Sequence, residues 1–369
     1  MILIGTVLGA GIFAVPFVIQ KAGVSSILIY FPVLFFLQLI IHLIYAEIIL
    51  STKSRHRMVG YVGVYFNKVF KDIALLIALL GKHGTLIAYI ILGGIFFYQL
   101  LSPIFGGTEL MYISILFAIE SFLVLFGLKI IAKAETFLTG LLMVVIVGLG
   151  FKSLGYWDAG NFNLVNLEHV LLPYGTIFFA IGGQAAIPEI CRLLKKEKEK
   201  IRSAVILGTF IPTVLVAAFA FLMVGVAGPA TTPDLLVGLG TRLDSGMMIL
   251  ALGIGLLAVT TSYMVISQAL REIYWWDLGM NKNWAWFWAS LIPFLLFLIG
   301  ANDLNRVVGI TGAITGGLFG IILILVYFKV KKKSHRTKIL KVHLSKGVAW
   351  VLSLAFIAGV ISELIILFK

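Results

Sequence analysis

Eleven stretches of roughly 20 residues run through this chain with hardly a charge in them. They lie near 2–20, 27–50, 73–100, 110–128, 135–154, 170–191, 203–226, 246–268, 285–301, 307–328 and 347–368. A run of that length is what an α-helix needs to cross a bilayer, where every backbone N–H and C=O must be satisfied internally. The runs are continuous and do not alternate with period two, which excludes an outer-membrane barrel. Too little polar sequence remains between them for a soluble domain. Of 369 residues, 61% are hydrophobic and 12% charged, with a mean hydropathy of +1.09, whereas an ordinary soluble domain is about 25% charged. The lone cysteine, Cys191, has no intrachain partner for a disulfide. The expected fold is all-α and polytopic, a single transmembrane domain over 1–369.

The net charge of +13 is sorted by face. Of the 29 Lys and Arg, 23 fall in the connections that follow spans 2, 4, 6, 8 and 10. These include Lys53, Arg55, Arg57, Lys68, Lys71, Lys129, Lys133, Arg271 and Lys282, with six from Arg192 to Arg202 and eight from Lys329 to Lys346. Lys82 lies inside a span, and only Lys21, Lys152, Arg242, Arg306 and Lys369 fall on the other face. The positive-inside rule makes the crowded face cytoplasmic, with the N-terminus inside and the C-terminus outside. Topology therefore accounts for the basic excess, and the expected partner is the bilayer of the cytoplasmic membrane and not nucleic acid. Trp275, Trp276, Trp284, Trp286 and Trp288 gather where an aromatic belt is expected. Met1 enters an apolar run with no basic segment before it, so no signal-peptide pattern is present.

Two spans carry matching interruptions. The first reads Gly5-Thr-Val-Leu-Gly9-Ala-Gly11-Ile-Phe-Ala-Val-Pro16 and the sixth Ala180-Ile-Gly182-Gly183-Gln-Ala-Ala-Ile-Pro188-Glu189. With Gly11 laid on Gly183, Ala14 meets Ala186, Val15 meets Ile187 and Pro16 meets Pro188. The offset of 172 residues spans five crossings, an odd number, so the two copies run in opposite directions. This is the pattern of inverted-topology repeats: repeat one over 1–155, repeat two over 169–328 and an extra helix at 347–368. Glycines weaken a helix by about 1 kcal/mol each relative to alanine, and proline belongs in a first turn. Each span is therefore expected to be two half-helices, the second beginning near its proline. Unwound backbone at that depth must line a cavity or bind a ligand. Half-helix N-termini suit a carboxylate, and freed carbonyls suit a cation or an ammonium group. Taken singly, Gly5-x-x-x-Gly9 also fits helix packing and Pro16 a kink.

These residues resemble the amino acid/auxin permease family and the related bacterial aromatic amino acid (tryptophan/tyrosine) permeases, within the amino acid–polyamine–organocation superfamily. The first helix of that family carries Gly-x-x-x-Gly-[Ala/Ser]-Gly-Ile-x-x-x-Pro, matched from Gly5 to Pro16, and its sixth is approximated by Ala180 to Glu189. The stretch from Gly127 to Glu135 is similar to the family's loop between helices 4 and 5, and Ala269-Leu-Arg271-Glu272 to the end of its helix 8.

The resemblance implies the leucine-transporter fold, five plus five inverted helices with an eleventh appended, and secondary active transport of amino acids. It implies that backbone near Gly9, Ala10, Gly11 and Ile12 takes the substrate carboxylate. Backbone near Ala180, Ile181 and Gly182, beside Gly183, would take the amino group, with Phe178 or Phe179 as an aromatic lid. Thr261 and Ser262 fall near the hydroxyls that hold Na⁺ in sodium-coupled relatives, and are equally compatible with plain interhelical hydrogen bonds. Some proton-coupled relatives place a lysine in helix 5, but Thr139 to Gly150 here contains none.

Two spans hide charges. Lys82 and His83 lie in span 3 and Glu120 in span 4, each roughly 13–16 Å above the cytoplasmic side at 1.5 Å per residue. Equal depth on adjacent helices predicts a buried Lys82–Glu120 pair. One reading gives Lys82, His83 or Glu120 the coupling proton or a say in substrate charge; the other makes the pair a tie between spans. Glu189, after Pro188, suits either the half-helix N-terminus or a gating ion pair, and Glu47 and Glu135 lie at cytoplasmic span ends.

The sequence thus points to H⁺- or Na⁺-coupled symport of a neutral amino acid, with aromatic and branched side chains as candidates. Spans 1, 2, 6 and 7 would rock against spans 3, 4, 8 and 9. A transporter-like sensor and a carrier of another small organic solute remain open. The expected unit is a monomer with no cofactor besides its coupling ion. The six histidines have no metal-ligand spacing and no hydrolase motif is present, so an enzyme is not expected.

Overall fold

The computed structural model describes residues 1–54, 56–125, 128–239, 245–333, 340 and 342–368, with backbone alone at 128–138, 149, 153, 237 and 333. Arg55, Gly127, the side chains from Leu128 to Glu135, Arg242, most of the basic cluster between Lys333 and Lys341, and Lys369 lie outside the described residues. Among the described residues there is no strand, and all eleven spans are helical.

Span 1 is two helices, α1 (Ile2–Val7) and α2 (Gly11–Ala22), and span 2 is α3 (Ser25–Ser51). A short helix not expected from the sequence, α4 (Met58–Tyr65), precedes α5 (Lys68–Phe105), α6 (Glu109–Leu125) and α7 (Leu128–Ser153), which are spans 3 to 5. Span 6 divides into α8 (Pro173–Ala180) and α9 (Ile187–Leu193), and span 7 is α10 (Lys198–Ala227). A small turn, α11 (Leu236–Leu239), leads into span 8, α12 (Ser245–Glu272), and span 9 is α13 (Lys282–Leu298). Span 10 is α14 (Leu304–Gly309), a π-helical stretch at Ile310–Gly316, and α15 (Gly317–Lys333); span 11 is α16 (Lys346–Leu367). Seven of these are long and apolar enough to cross a membrane unaided. The remaining spans are the two interrupted ones and the 17-residue helices α6 and α13.

The interruptions fall where glycine predicts and differ in where they end. Pro188 sits in the first turn of α9, where its missing N–H is harmless. Pro16 is instead inside α2, which begins five residues earlier at Gly11. In the first span glycine, not proline, sets the start of the half-helix.

Helices pack as two groups. α1, α2, α3, α8, α9 and α10 contact one another, and α5, α6, α12 and α13 form the other set. Span 10 touches both through its π-helical stretch, and α7 touches α1, α10 and α12. Large apolar side chains point outward, among them Leu28, Val33 and Phe36 on α3 and Trp350, Val351 and Leu354 on α16, as a lipid-facing surface requires. Four of the expected belt tryptophans are exposed, but Trp286 turns inward and donates to Ser121 O at 2.9 Å.

Candidate functional site

The two interruptions meet at the centre of the molecule. Gly11 lies so close to Ala180 that any Cβ there would overlap the Ala180 backbone. Around this crossing runs a cavity of about 120 Å³. Thr6, Val7 and Gly11 line it from span 1, Phe178, Phe179, Ala180 and Gly182 from span 6, and Lys82, Thr85 and Tyr89 from α5. The π-helical stretch contributes Thr311, Gly312, Thr315 and Gly316. A π-turn aims residues differently from an α-turn and recurs at functional sites.

The first interruption is chemically bare. The amides of Gly9, Ala10, Gly11 and Ile12 meet no acceptor among the described residues, and the first bond of α2 runs from Phe13 N to Ala10 O at 3.2 Å. The last carbonyls of α1 beyond Ile4 likewise meet no donor. Gly9 faces Ser262 on α12 and the Tyr89 hydroxyl on α5. Ser262 Oγ is buried, with the Tyr89 hydroxyl its polar neighbour among the described residues, while Thr261 donates to Ala258 O of its own helix at 3.1 Å. Of the expected hydroxyl pair, only Ser262 faces the interruption.

The second interruption is fastened from α3. Gln38 Nε2 donates to Phe178 O at 2.9 Å and Gln184 Nε2 to Gln38 Oε1 at 3.0 Å. Gly183 N donates to His42 Nε2 at 3.3 Å, and His42 Nδ1 lies 2.9 Å from Thr209 Oγ1 on α10. Thr209 Oγ1 in turn donates to Val205 O at 2.8 Å. The chain of bonds is consistent only with a neutral His42 that carries its proton on Nδ1. Gln38 and His42, four residues apart on one face of an apolar helix, escaped the sequence reading, although that spacing was its own signal.

Other expected site residues fall on both sides of the cavity wall. Phe178 is fully buried, stacked on Tyr174 with centroids 6.0 Å apart and edge-on to Phe356 at 5.9 Å; Phe179 is only half-buried. Ile12 and Ile181 are packed in the core, and Gly183 sits against Leu3 and Val7.

The expected Lys82–Glu120 pair does not form. Lys82 faces the cavity, whereas Glu120 on α6 is buried against α12 beside Thr260 and Tyr263. Equal depth left the rotation of each helix open, and rotation turned the two apart. His83 Nε2 lies 3.0 Å from the Tyr274 hydroxyl, and its Nδ1 has no partner.

Towards the basic face the cavity ends at a charged network. Arg57, just before α4, donates from Nε to Glu272 at 2.7 Å and from Nη1 to Ala185 O at 3.1 Å, and pairs with Glu189 at 3.4 Å. Arg192 also pairs with Glu189, and Gln268 donates to Glu272 at 3.1 Å. Burial works against the Arg57 charge, yet Glu272, Tyr45 and Glu189 outweigh it and hold its pKa above the usual arginine value. Glu189 is thus the ion-pair partner of its two readings, and the network joins α9 of one helix group to α12 of the other.

An all-helical bundle with two opposed discontinuous spans around a central cavity is the architecture of leucine-transporter-fold secondary transporters, and the solved structures agree. The chain superimposes on MhsT in complex with L-phenylalanine with a TM-score of 0.70 at 16% identity, covering 98% of this chain and 97% of that one. A nucleobase-cation-symport-1 family transporter, in a closed conformation with bromovinylhydantoin bound, gives 0.69 at 14% identity, over 99% and 89%. Residues 1–365 match the tryptophan/tyrosine permease family, and the chain belongs to it. A curated relative, Glutamine transporter 2 of Aliivibrio fischeri, is 22% identical over 98% of this chain and 96% of its own length. The protein is an integral, multi-pass membrane transporter and not an enzyme.

Proposed function

We propose that the protein carries a neutral amino acid across the cytoplasmic membrane in symport with Na⁺. The observation that carries this reading is the bare first interruption facing the second across the cavity. The free amides at the start of α2, at the positive end of a helix dipole, suit the substrate carboxylate. The carbonyls of Ala180 and Ile181, which follow the engaged ones of α8, suit its ammonium group, and the half-buried Phe179 would cover it. The carbonyls ending α1 and the Ser262 hydroxyl offer a neutral oxygen shell for a cation. The names of the relatives, a glutamine transporter and a structure holding L-phenylalanine, support an amino acid as cargo. Alternating access follows if the α1–α3 and α8–α10 group rocks against α5, α6, α12 and α13, opening the Arg57 network.

The test is uptake of a labelled amino-acid mixture into proteoliposomes, under an inward Na⁺ gradient and, separately, an inward proton gradient. Uptake driven by Na⁺ is expected. Uptake driven by protons alone would overturn the sodium seat and keep the cargo, moving attention to Lys82, His83 and Glu120. Binding without uptake would favour a sensor, and neither binding nor uptake would overturn the amino-acid reading.

A further inference from the structure

Resting on the reading of the cavity as an amino-acid site, we infer that Lys82 selects the substrate side chain, favouring neutral ones that end in a carbonyl oxygen. Among the described residues, two basic side chains line the cavity, Arg57 and Lys82, and no carboxylate does. Arg57 is committed to Glu272, Glu189 and Ala185 O. The Lys82 ammonium has neither a hydrogen bond nor an ion pair among the described residues. Of the hydroxyls on this wall, Thr85 donates to Gly81 O at 2.7 Å and Thr315 to Thr311 O at 2.5 Å, so that those of Thr311 and Tyr45 are the neutral donors beside the ammonium. Among the described residues that line the cavity, Lys82 is therefore the uncommitted cation.

Its depth fits the same role. Lys82 stands seven residues below Tyr89 on α5, roughly 10 Å along the helix axis. A substrate backbone held at the Gly11–Ala180 crossing would send its side chain down this wall, and the amide of a glutamine-length side chain reaches about one helical turn, ~5 Å. An oxygen there would satisfy the ammonium, with charge-assisted geometry. A leucine or phenylalanine side chain would bury the ammonium unpaired, and a lysine would face a like charge.

The experiment measures proteoliposome uptake of glutamine, glutamate, leucine, phenylalanine and lysine, one at a time, by the wild type and by Lys82→Met and Lys82→Arg. The wild type is expected to favour glutamine over leucine by at least tenfold in uptake efficiency and to exclude lysine. K82M should erase that ratio and K82R restore most of it. A wild type that carries leucine or phenylalanine as well as glutamine overturns the inference, whether or not K82M folds. So does a K82M protein that keeps the ratio while its dependence on the ion gradient changes, which would make Lys82 a coupling residue. Absence of uptake for every amino acid would instead be failure of the proposed function itself.

Discussion

The first span is interrupted over three residues, Leu8–Ala10, and the sixth over six, Ile181–Ala186, and the two are held in opposite ways. The short interruption keeps the Gly9 and Ala10 amides and the Leu8 and Gly9 carbonyls without partners among the described residues. The longer one is tied by Gln38 and His42 to α3, and through His42 to Thr209 on α10. Both arise from the same Gly-x-x-Ala-[Val/Ile]-Pro pattern. A buried polar backbone group must have a partner. Where the protein supplies one, the segment is a joint within its own helix group; where it does not, the site is complete only with a ligand. The sixth span can thus move as one piece with α3 and α10, while the proposed function gives recognition to the first.

The largest test of this contrast is Gly11→Ala. A methyl group there collides with the Ala180 backbone, which cannot yield as a side chain could. Uptake should fall to background, with the protein still extracted as a folded species on size exclusion. Ser262→Ala comes next: the Na⁺ concentration for half-maximal uptake should rise roughly tenfold or more, an effect of about 1.4 kcal/mol or above. The second interruption should respond in stability instead. His42→Ala strands the Gly183 N–H in an apolar interior and should cost about 1–3 kcal/mol, read as a lower melting temperature in detergent without substrate. Thr261→Ala should do least, within about 0.5 kcal/mol and with no change in cation dependence, because its hydroxyl serves its own helix. If His42→Ala shifted cation affinity while Ser262→Ala only lowered the melting temperature, the assignment of joint and recognition site would be reversed.

Much of the fold was legible because membranes leave few choices. The eleven apolar runs became eleven helical spans, and the glycines at 9, 11, 182 and 183 marked both interruptions. Proline misled in the first span, since Pro16 sits inside α2, where only the bond to the Ile12 carbonyl is lost. The π-helical stretch at Ile310–Gly316 and helix α4 left no periodic trace that separates them from ordinary helix and loop. The Arg57–Glu272 pair joins residues 215 positions apart, and His42–Thr209 joins residues 167 apart. Pairings at that separation follow from how helices dock and are invisible to local spacing.

The sequence by itself determined the class of structure, its two weak points and the chemistry available at each. Hydrocarbon tolerates only backbone that is bonded internally, continuous apolar runs meet that need as helices, and glycine marks where a helix gives way. Only the tertiary structure decided which polar groups meet. It turned Lys82 into the cavity and Glu120 away from it, put Ser262 but not Thr261 on the first interruption, and fastened the second from α3. The reason is rotational. Apolar residues on every side of a span fix its depth without fixing which face it shows its neighbours, and that face is set by packing between helices far apart in the chain.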